Sequence, residues 1–362
     1  VYGDPLGLKA SWEGYVNYTD HQATRRAQAL SRNAQWFEDH SPVDARFKKP
    51  LCRGVSAKVI NAAILGGDLY PSSAIGINLP NSNWVRAEHG SKSVTIANLT
   101  HAYDEAARGN GFRNEFADST QTVSLMDRYG SICDDLHTDL HECLGHGSGR
   151  LLPGVDPDAL KAYGSTIEEA RADLFGLYYL ADEKLVELGL TPCQEAYKAQ
   201  YYSYMMNGLL TQMVRIQPGH QIEEAHMRNR ALIARWTLEH YPQAVRLSEQ
   251  DGKHYVEILD YPLLRTAFGT LLAEIQRIKS EGDLQAARQM VERYGVQIDA
   301  TLHQEVLERY SKLHLAPYKG FINPRYTPVC DSEGRITDVH IDYLETYDEQ
   351  MLRYSKQYNT LI

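Results

Sequence analysis

One hexapeptide constrains this chain more than any other feature: His141-Glu142-Cys143-Leu144-Gly145-His146, followed by Gly147-Ser148-Gly149. Glu169 stands 23 residues after His146, within Ser165-Thr166-Ile167-Glu168-Glu169-Ala170-Arg171-Ala172-Asp173. Two histidines, a glutamate between them and a downstream glutamate are the parts of a catalytic zinc site. Three protein ligands leave one coordination position for water, and a carboxylate beside the metal is the natural base for that water. The spacing is unusual. The common zinc peptidase pattern, H-E-x-x-H, puts its histidines at i and i+4 on one helix face. Here they are five apart, and on an ideal helix residues i and i+5 diverge by roughly 140°. Both rings reach one metal only if the helix gains a residue locally, as a single π-turn provides. Gly145 lies inside the span, where it eases a departure from the helix. Short His-Glu pairs recur by chance. The glycine, the Gly-Ser-Gly that follows and the glutamate pair on the next predicted helix lift this one above that background.

The two adjacent glutamates have different work available. Ser165-x-x-Glu168 has the form of a capping box, which gives Glu168 a structural task or a supporting place behind the metal. Glu169 and Asp173 share a helix face at i, i+4. The reading is therefore His141, His146 and Glu169 as metal ligands and Glu142 as base, with Glu168 and Asp173 in support. Cys143 lies two residues from His141 and is expected to pack rather than ligate.

The 362 residues are long enough for one large domain or two. With 43% hydrophobic and 23% charged residues the chain reads as an ordinary soluble globular protein. A net charge of −10 argues against nucleic acid as the main partner. The five cysteines are odd in number, irregularly spaced and contain no C-x-x-C, which fits a reducing, cytoplasmic setting. No run of 18 apolar residues occurs, so no membrane span is expected, and no signal peptide is seen. The chain opens without methionine at Val1-Tyr2-Gly3-Asp4-Pro5. It reads as a fragment or processed product, from which any N-terminal signal would have gone with the missing part.

Patterning predicts a mainly α chain with a minor β component. A short strand is expected over 15–18, then a helix capped by Asp20 and running to about 40. An apolar, β-branched stretch over 56–65 is broken by Gly66-Gly67. Residues 75–83 are extended, since Pro80 holds Leu79 away from helical backbone. That segment is either a cleft-edge strand able to pair with an extended peptide or a loop whose asparagines make Asx turns. Helices are expected over 93–108, 134–146, from 165 onward, 193–216, 222–240, 262–279, 283–294, 299–315 and about 344–358. A strand is expected over 254–259, a loop over 323–326 and a hairpin turn at Glu333-Gly334.

The paired motifs resemble those of the dipeptidyl peptidase III family of zinc exopeptidases, H-E-x-x-G-H and E-E-x-R-A-[E/D]. Here they stand as His141–His146 and Glu168–Asp173. Tyr2-Gly3-Asp4-Pro5-Leu6-Gly7 is similar to the family's Y-x-D-P-x-G, Ile77-Asn78-Leu79-Pro80-Asn81 to its I-N-I-P-N, and Ala225-His226-Met227 to its A-H-M. Asn323-Pro324-Arg325 matches a C-terminal arginine segment more loosely. The resemblance covers nearly the whole chain. It implies one Zn²⁺ per chain on His141, His146 and Glu169, with Glu142 as general base. It implies that Tyr2 and His226 stabilise the transition state, that Asn78 and Asn81 hold the substrate's amino-terminal dipeptide, and that Arg325 faces a peptide carboxylate. It further implies two lobes around a wide cleft. Residues 20–321 would form the helical zinc lobe, and 1–19 and 322–362 parts of the β-containing lobe with the C-terminal helix.

Much of the first lobe would precede Val1, including an acidic residue that binds the substrate's free amine. The loop between the two metal motifs is also shorter than in longer members. The expected function is release of dipeptides from the unblocked N-terminus of oligopeptides, by a monomer whose activity is reduced by truncation. The alternative is a zinc-stabilised module that binds peptides without cutting them. Glu142 separates the two, because a pure binding site needs no base there. The five-residue spacing argues against a third possibility, an ordinary aminopeptidase.

Overall fold

The computed structural model describes residues 12–52, 56–71, 73, 76–79, 92–316 and 320–358. Strand β1 (Glu13–Thr19) leads to Asp20, whose carboxylate accepts the backbone N–H of Gln22 and Ala23 at 3.0 and 2.9 Å and so starts helix α1 (His21–Arg32). The helix expected to run on to 40 is interrupted. Asn33 turns its amide back onto the Ala29 carbonyl at 2.8 Å, its backbone leaves the helical region, and a separate helix α2 (Ala34–His40) follows. An asparagine offers the backbone a local alternative to the helix, and here it is taken.

Three more strands are β2 (Ser56–Gly67), β3 (Gly76–Leu79) and β4 (Lys92–Ile96). They join β1 in a sheet of order β1-β2-β4-β3, antiparallel except for the central β2–β4 pair. The helix expected over 93–108 is therefore corrected at its start. The β-branched run Val94-Thr95-Ile96 pairs with β2, and only then does α3 (Ala97–Ala107) begin. Asn98 fixes that junction by bonding both the N–H and the C=O of Ala62, at 2.9 and 2.8 Å. A small core of Ile60, Ala62, Leu65, Ile96, Leu99 and Phe321 lies under this sheet, apart from the main one.

The main core is helical. A short α4 (Phe112–Phe116) precedes α5 (Thr120–Leu140), which Ser119 caps. Helix α6 (Gly164–Leu180) has twelve of its seventeen residues buried, including charged Arg171 and Asp173. A helix buried all round belongs at the centre of a bundle. After the short α7 (Glu183–Glu187) come α8 (Tyr197–Leu209), α9 (Ala225–His240) and α10 (Tyr261–Glu281). α5, α9 and α10 all pack on α6. The helix expected over 193–216 is shorter, ending at Leu209 before a 3₁₀ turn over Thr211–Arg215. Between α9 and α10 lies a hairpin of β5 (Val245–Gln250) and β6 (Lys253–Ile258), of which the sequence reading anticipated only the second strand.

Helices α11 (Leu284–Val291) and α12 (Ala300–Ser311) complete the bundle. The chain ends in a hairpin, β7 (Arg325–Cys330) and β8 (Ile336–Asp342), and a last helix α13 (Tyr347–Tyr358). The expected turn at Gly334 is present, with φ +79°. Among the described residues no helix is long and apolar enough to cross a membrane.

Glycines mark close helix contacts in the bundle. A Cβ on Gly208 of α8 would sit 2.5 Å from the Arg230 carbonyl and 2.6 Å from the Ala234 Cβ of α9. Gly208→Ala is expected to destabilise the fold by about 1–3 kcal/mol through overpacking. Gly130→Ala, within α5 and with nothing inside 4 Å, should stabilise it by about 0.5–1 kcal/mol through helix propensity. Urea denaturation of the two variants tests both signs.

Candidate metal centre

Helix α5 leads directly into the histidine motif. Its α-helical bonding stops at Leu140, and His141–Gly145 form a π-turn closed by the His146 N–H on the His141 carbonyl at 3.0 Å. This is the extra residue that the five-residue spacing demanded. The two imidazoles lie edge to face, with centroids 4.7 Å apart. Gly145 has a second reason to be glycine. A Cβ there would meet Ala172 Cα at 2.8 Å and Ala172 O at 2.9 Å, so the π-turn rests directly on the backbone of α6. Cys143 is buried and packs, as expected.

α6 supplies the acidic half. His141, Glu142 and His146 each present a potential ligand atom within 4.8 Å of one another. Glu169 Oε2 lies 3.2 Å from His141 Nε2, 3.9 Å from His146 Nε2 and 3.5 Å from His226 Nδ1. That oxygen is buried, and no described residue gives it a hydrogen bond of good geometry. The outer ring nitrogens are both tied to carboxylates. His141 Nδ1–H donates to Asp173 Oδ1 at 2.7 Å, and His146 Nδ1–H to Glu168 Oε1 at 2.8 Å. Each Nε2 is thereby turned inward, towards Glu169.

Glu168 does not cap its helix. A 3₁₀ turn over Lys161–Tyr163 runs into α6, whose first turn takes no side-chain cap. Glu168 instead receives Arg171 Nη2 at 2.7 Å, Arg171 Nε at 3.0 Å and the Lys279 ammonium from α10. Arg171 is 1% exposed and also binds Ser148 Oγ at 2.6 Å, Ser148 O at 3.0 Å and the His146 carbonyl at 3.3 Å. It thus holds His146 twice, at its backbone and, through Glu168, at its ring. From the other side, buried Glu38 of α2 accepts the Gly149 N–H at 3.0 Å, and Lys49 binds the Gly147 carbonyl. The Gly-Ser-Gly after the motif is a loop pinned by three charged side chains.

The electrostatics follow from these contacts. Burial raises the Asp173 carboxyl, but the hydrogen bond and charge of His141 outweigh it and hold the group well below the usual carboxylate range. Glu168 is likewise held low, as Arg171 and Lys279 overcome burial. His141 is pushed up to about 10: burial lowers it, and Asp173 and Glu169 more than compensate. Carboxylates that favour a proton on Nε2 favour any cation there, which is how ligand protonation and metal binding compete.

The remaining expected residues are dispersed. His226 stands in the first turn of α9, 55% exposed, and does reach Glu169. Asn78 belongs to β3, the terminal strand of its sheet, opposite Ser93 of β4. Arg325 opens β7, 53% exposed and 4.0 Å from Glu345, on an element separate from the histidine cluster. The loop expected over 323–326 is thus half strand. Tyr2 and Asn81 lie outside the described residues. The sequence reading missed Arg171, Lys279, Glu38, Tyr204 and Asn229. Only Arg171 carried a signal, as a charge inside the second motif.

Fold and site together define a mainly helical protein with a His-Glu-His motif opened on a π-turn and backed by carboxylates of one buried helix. The model of peptidase family M49 matches residues 1–161 and 157–311. The chain belongs to that family, the family of the dipeptidyl peptidase III proteins. It is 27% identical over 242 residues to dipeptidyl peptidase 3 of Dictyostelium discoideum, covering 57% of this chain and 33% of that protein. It is 25% identical over 356 residues to dipeptidyl peptidase 3 of Rattus norvegicus, covering 85% of this chain and 47% of that one. The structure of DPP III from Caldithrix abyssi superposes with TM-score 0.67 at 22% identity, over 82% of this chain and 55% of that chain, and shares the fold. The chain thus matches a third to a half of the length of these curated relatives.

Replacing Arg171 leaves Glu168 and the His146 loop without their central donor. Arg171→Met is expected to destabilise the protein by about 3 kcal/mol, the scale for breaking a buried ion pair from one side. Chemical denaturation of the metal-free protein is the measurement.

Proposed function

We propose that this chain is a zinc-dependent dipeptidyl-peptidase unit, with one Zn²⁺ held by His141, His146 and Glu169. One observation carries the reading: three imidazole nitrogens surround the buried Glu169 Oε2 within 3.9 Å, and no described residue gives it a hydrogen bond of good geometry. Buried carboxylate oxygens are ordinarily satisfied, and two inward Nε2 atoms with one carboxylate are a His₂Glu donor set of the kind zinc takes in hydrolytic enzymes. Asp173 and Glu168 supply the acceptors that ligand histidines require behind them. When bound, zinc supplies a Lewis acid and lowers the pKa of water towards ~7.

The chain's residues then divide the work. Glu142, half-buried between the two histidines, takes the proton of the attacking water and returns it to the departing amine. His226, exposed at the start of α9, offers a donor to the oxygen of the tetrahedral intermediate, as would Tyr2. β3, as a sheet's terminal strand, offers backbone groups to an extended peptide, with Asn78 and Asn81 holding its first two residues and Arg325 a carboxylate. The substrates are oligopeptides with free N-termini. The five cysteines, all free thiols, fit a reducing setting such as the cytoplasm. A module that only binds peptides would have no use for Glu142 inside the ligand group.

Elemental analysis should find one zinc per chain, falling sharply in Glu169→Ala. Full zinc in that variant would move the third ligand to Glu142 or Glu168. Mass spectrometry of an unblocked oligopeptide incubated with the protein should show dipeptides leaving its N-terminus. Glu142→Ala should keep its zinc and lose ~10²–10⁴-fold in rate. A zinc-loaded wild-type chain that binds the peptide intact would favour the binding module instead.

A further inference from the structure

Behind His141, Asp173 is itself held by two buried donors that none of the steps above uses. Asp173 gives Oδ1 to His141 Nδ1–H. Its other oxygen, Oδ2, accepts the Tyr204 hydroxyl at 2.7 Å and Asn229 Nδ2–H at 3.1 Å. Both donors are buried, Tyr204 at 5% and Asn229 at 0% exposure. Tyr204 stands on α8 and Asn229 on α9, one turn beyond His226. Three helices therefore converge on one carboxylate.

We propose that Tyr204 and Asn229 are positioning residues that lock Asp173, and through it the His141 ring, in the orientation that presents Nε2 to a metal ion. The proposal rests on the zinc reading above. Its physical basis is rotational. The last torsion of an aspartate is broad, so one bond to Oδ1 leaves the carboxylate plane free to swing and the imidazole with it. Two donors on Oδ2, arriving from different helices, fix that plane.

The test is zinc affinity, measured by competition with a chromogenic chelator on folded protein, circular dichroism confirming the fold. Tyr204→Phe and Asn229→Leu each remove one donor to Asp173. Tyr202→Phe is the control. It removes an equally buried hydroxyl from the same helix, one that serves Val256 O and the Asp118 N–H instead. Zinc should bind about 10-fold or more weakly in the first two variants, the usual scale for partners of metal-ligating histidines, and unchanged in the third. Wild-type affinity in both Tyr204→Phe and Asn229→Leu overturns the proposal. An equal loss in Tyr202→Phe overturns it as well, since the loss would then follow from destabilisation of α8. A wild-type chain that takes up no zinc overturns the metal-centre reading itself, and the role of Tyr204 and Asn229 with it.

Discussion

The contact on which the rest of the site depends is the crossing of the π-turn over the backbone of α6 at Gly145 and Ala172. Backbone against backbone is the closest approach two helical segments can make, and it needs a residue without a Cβ. That closeness brings side chains of α6 on either side of Ala172 within direct hydrogen-bonding range of the two rings. Asp173 meets one and Glu168 meets the other, while Glu169 lies between them. Were the elements a typical 8–10 Å apart, these short carboxylates would need intervening groups.

Burying so many charges at one crossing demands that each be compensated. α6 contributes Glu168, Glu169, Arg171 and Asp173 within six positions. Glu168 is matched by Arg171 and Lys279, and Asp173 by His141, Tyr204 and Asn229. Glu169 Oε2 faces three imidazoles. The asymmetry is what the proposed roles rest on: the satisfied carboxylates as supports, Glu169 as the candidate ligand. Sequence spacing pointed to Glu169 through the face it shares with Asp173, and to capping or supporting work for Glu168. Glu169 does face the two inner ring nitrogens. The capping option for Glu168 is not taken, because the 3₁₀ turn at Lys161–Tyr163 already enters the helix; it stands behind His146 instead.

What was legible in the sequence was whatever a local pattern encodes. The five-residue histidine spacing required a π-turn, and Asp20 announced a helix start that is present. The β-branched run at Val94–Ile96 was there to be read too, but helical periodicity over the following residues masked it; only pairing with β2, some 35 positions away, decides for strand. The partners behind the histidines were not legible at all. Tyr204 is one of 24 tyrosines, and Lys279 ends an ordinary amphipathic helix. Their significance is tertiary, arising where α8, α9 and α10 each touch α6 or its carboxylates.

That dispersal bears on how the centre comes into being. Its parts come from positions 38, 49, 141–149, 168–173, 204, 226–229 and 279, so α2, α5, α6, α8, α9 and α10 must all be in place before the last of them arrives. Contacts of such long sequence separation form late and slow folding. A folding intermediate containing only α5 and α6 would hold both histidines and Glu169 without the groups that orient them. On the proposed reading, metal capture would be coupled to completion of the fold: an ion that binds the finished site and not its precursors shifts the balance of the whole chain towards the native state. The proposed centre would in this sense be a final checkpoint on assembly as well as a place for chemistry.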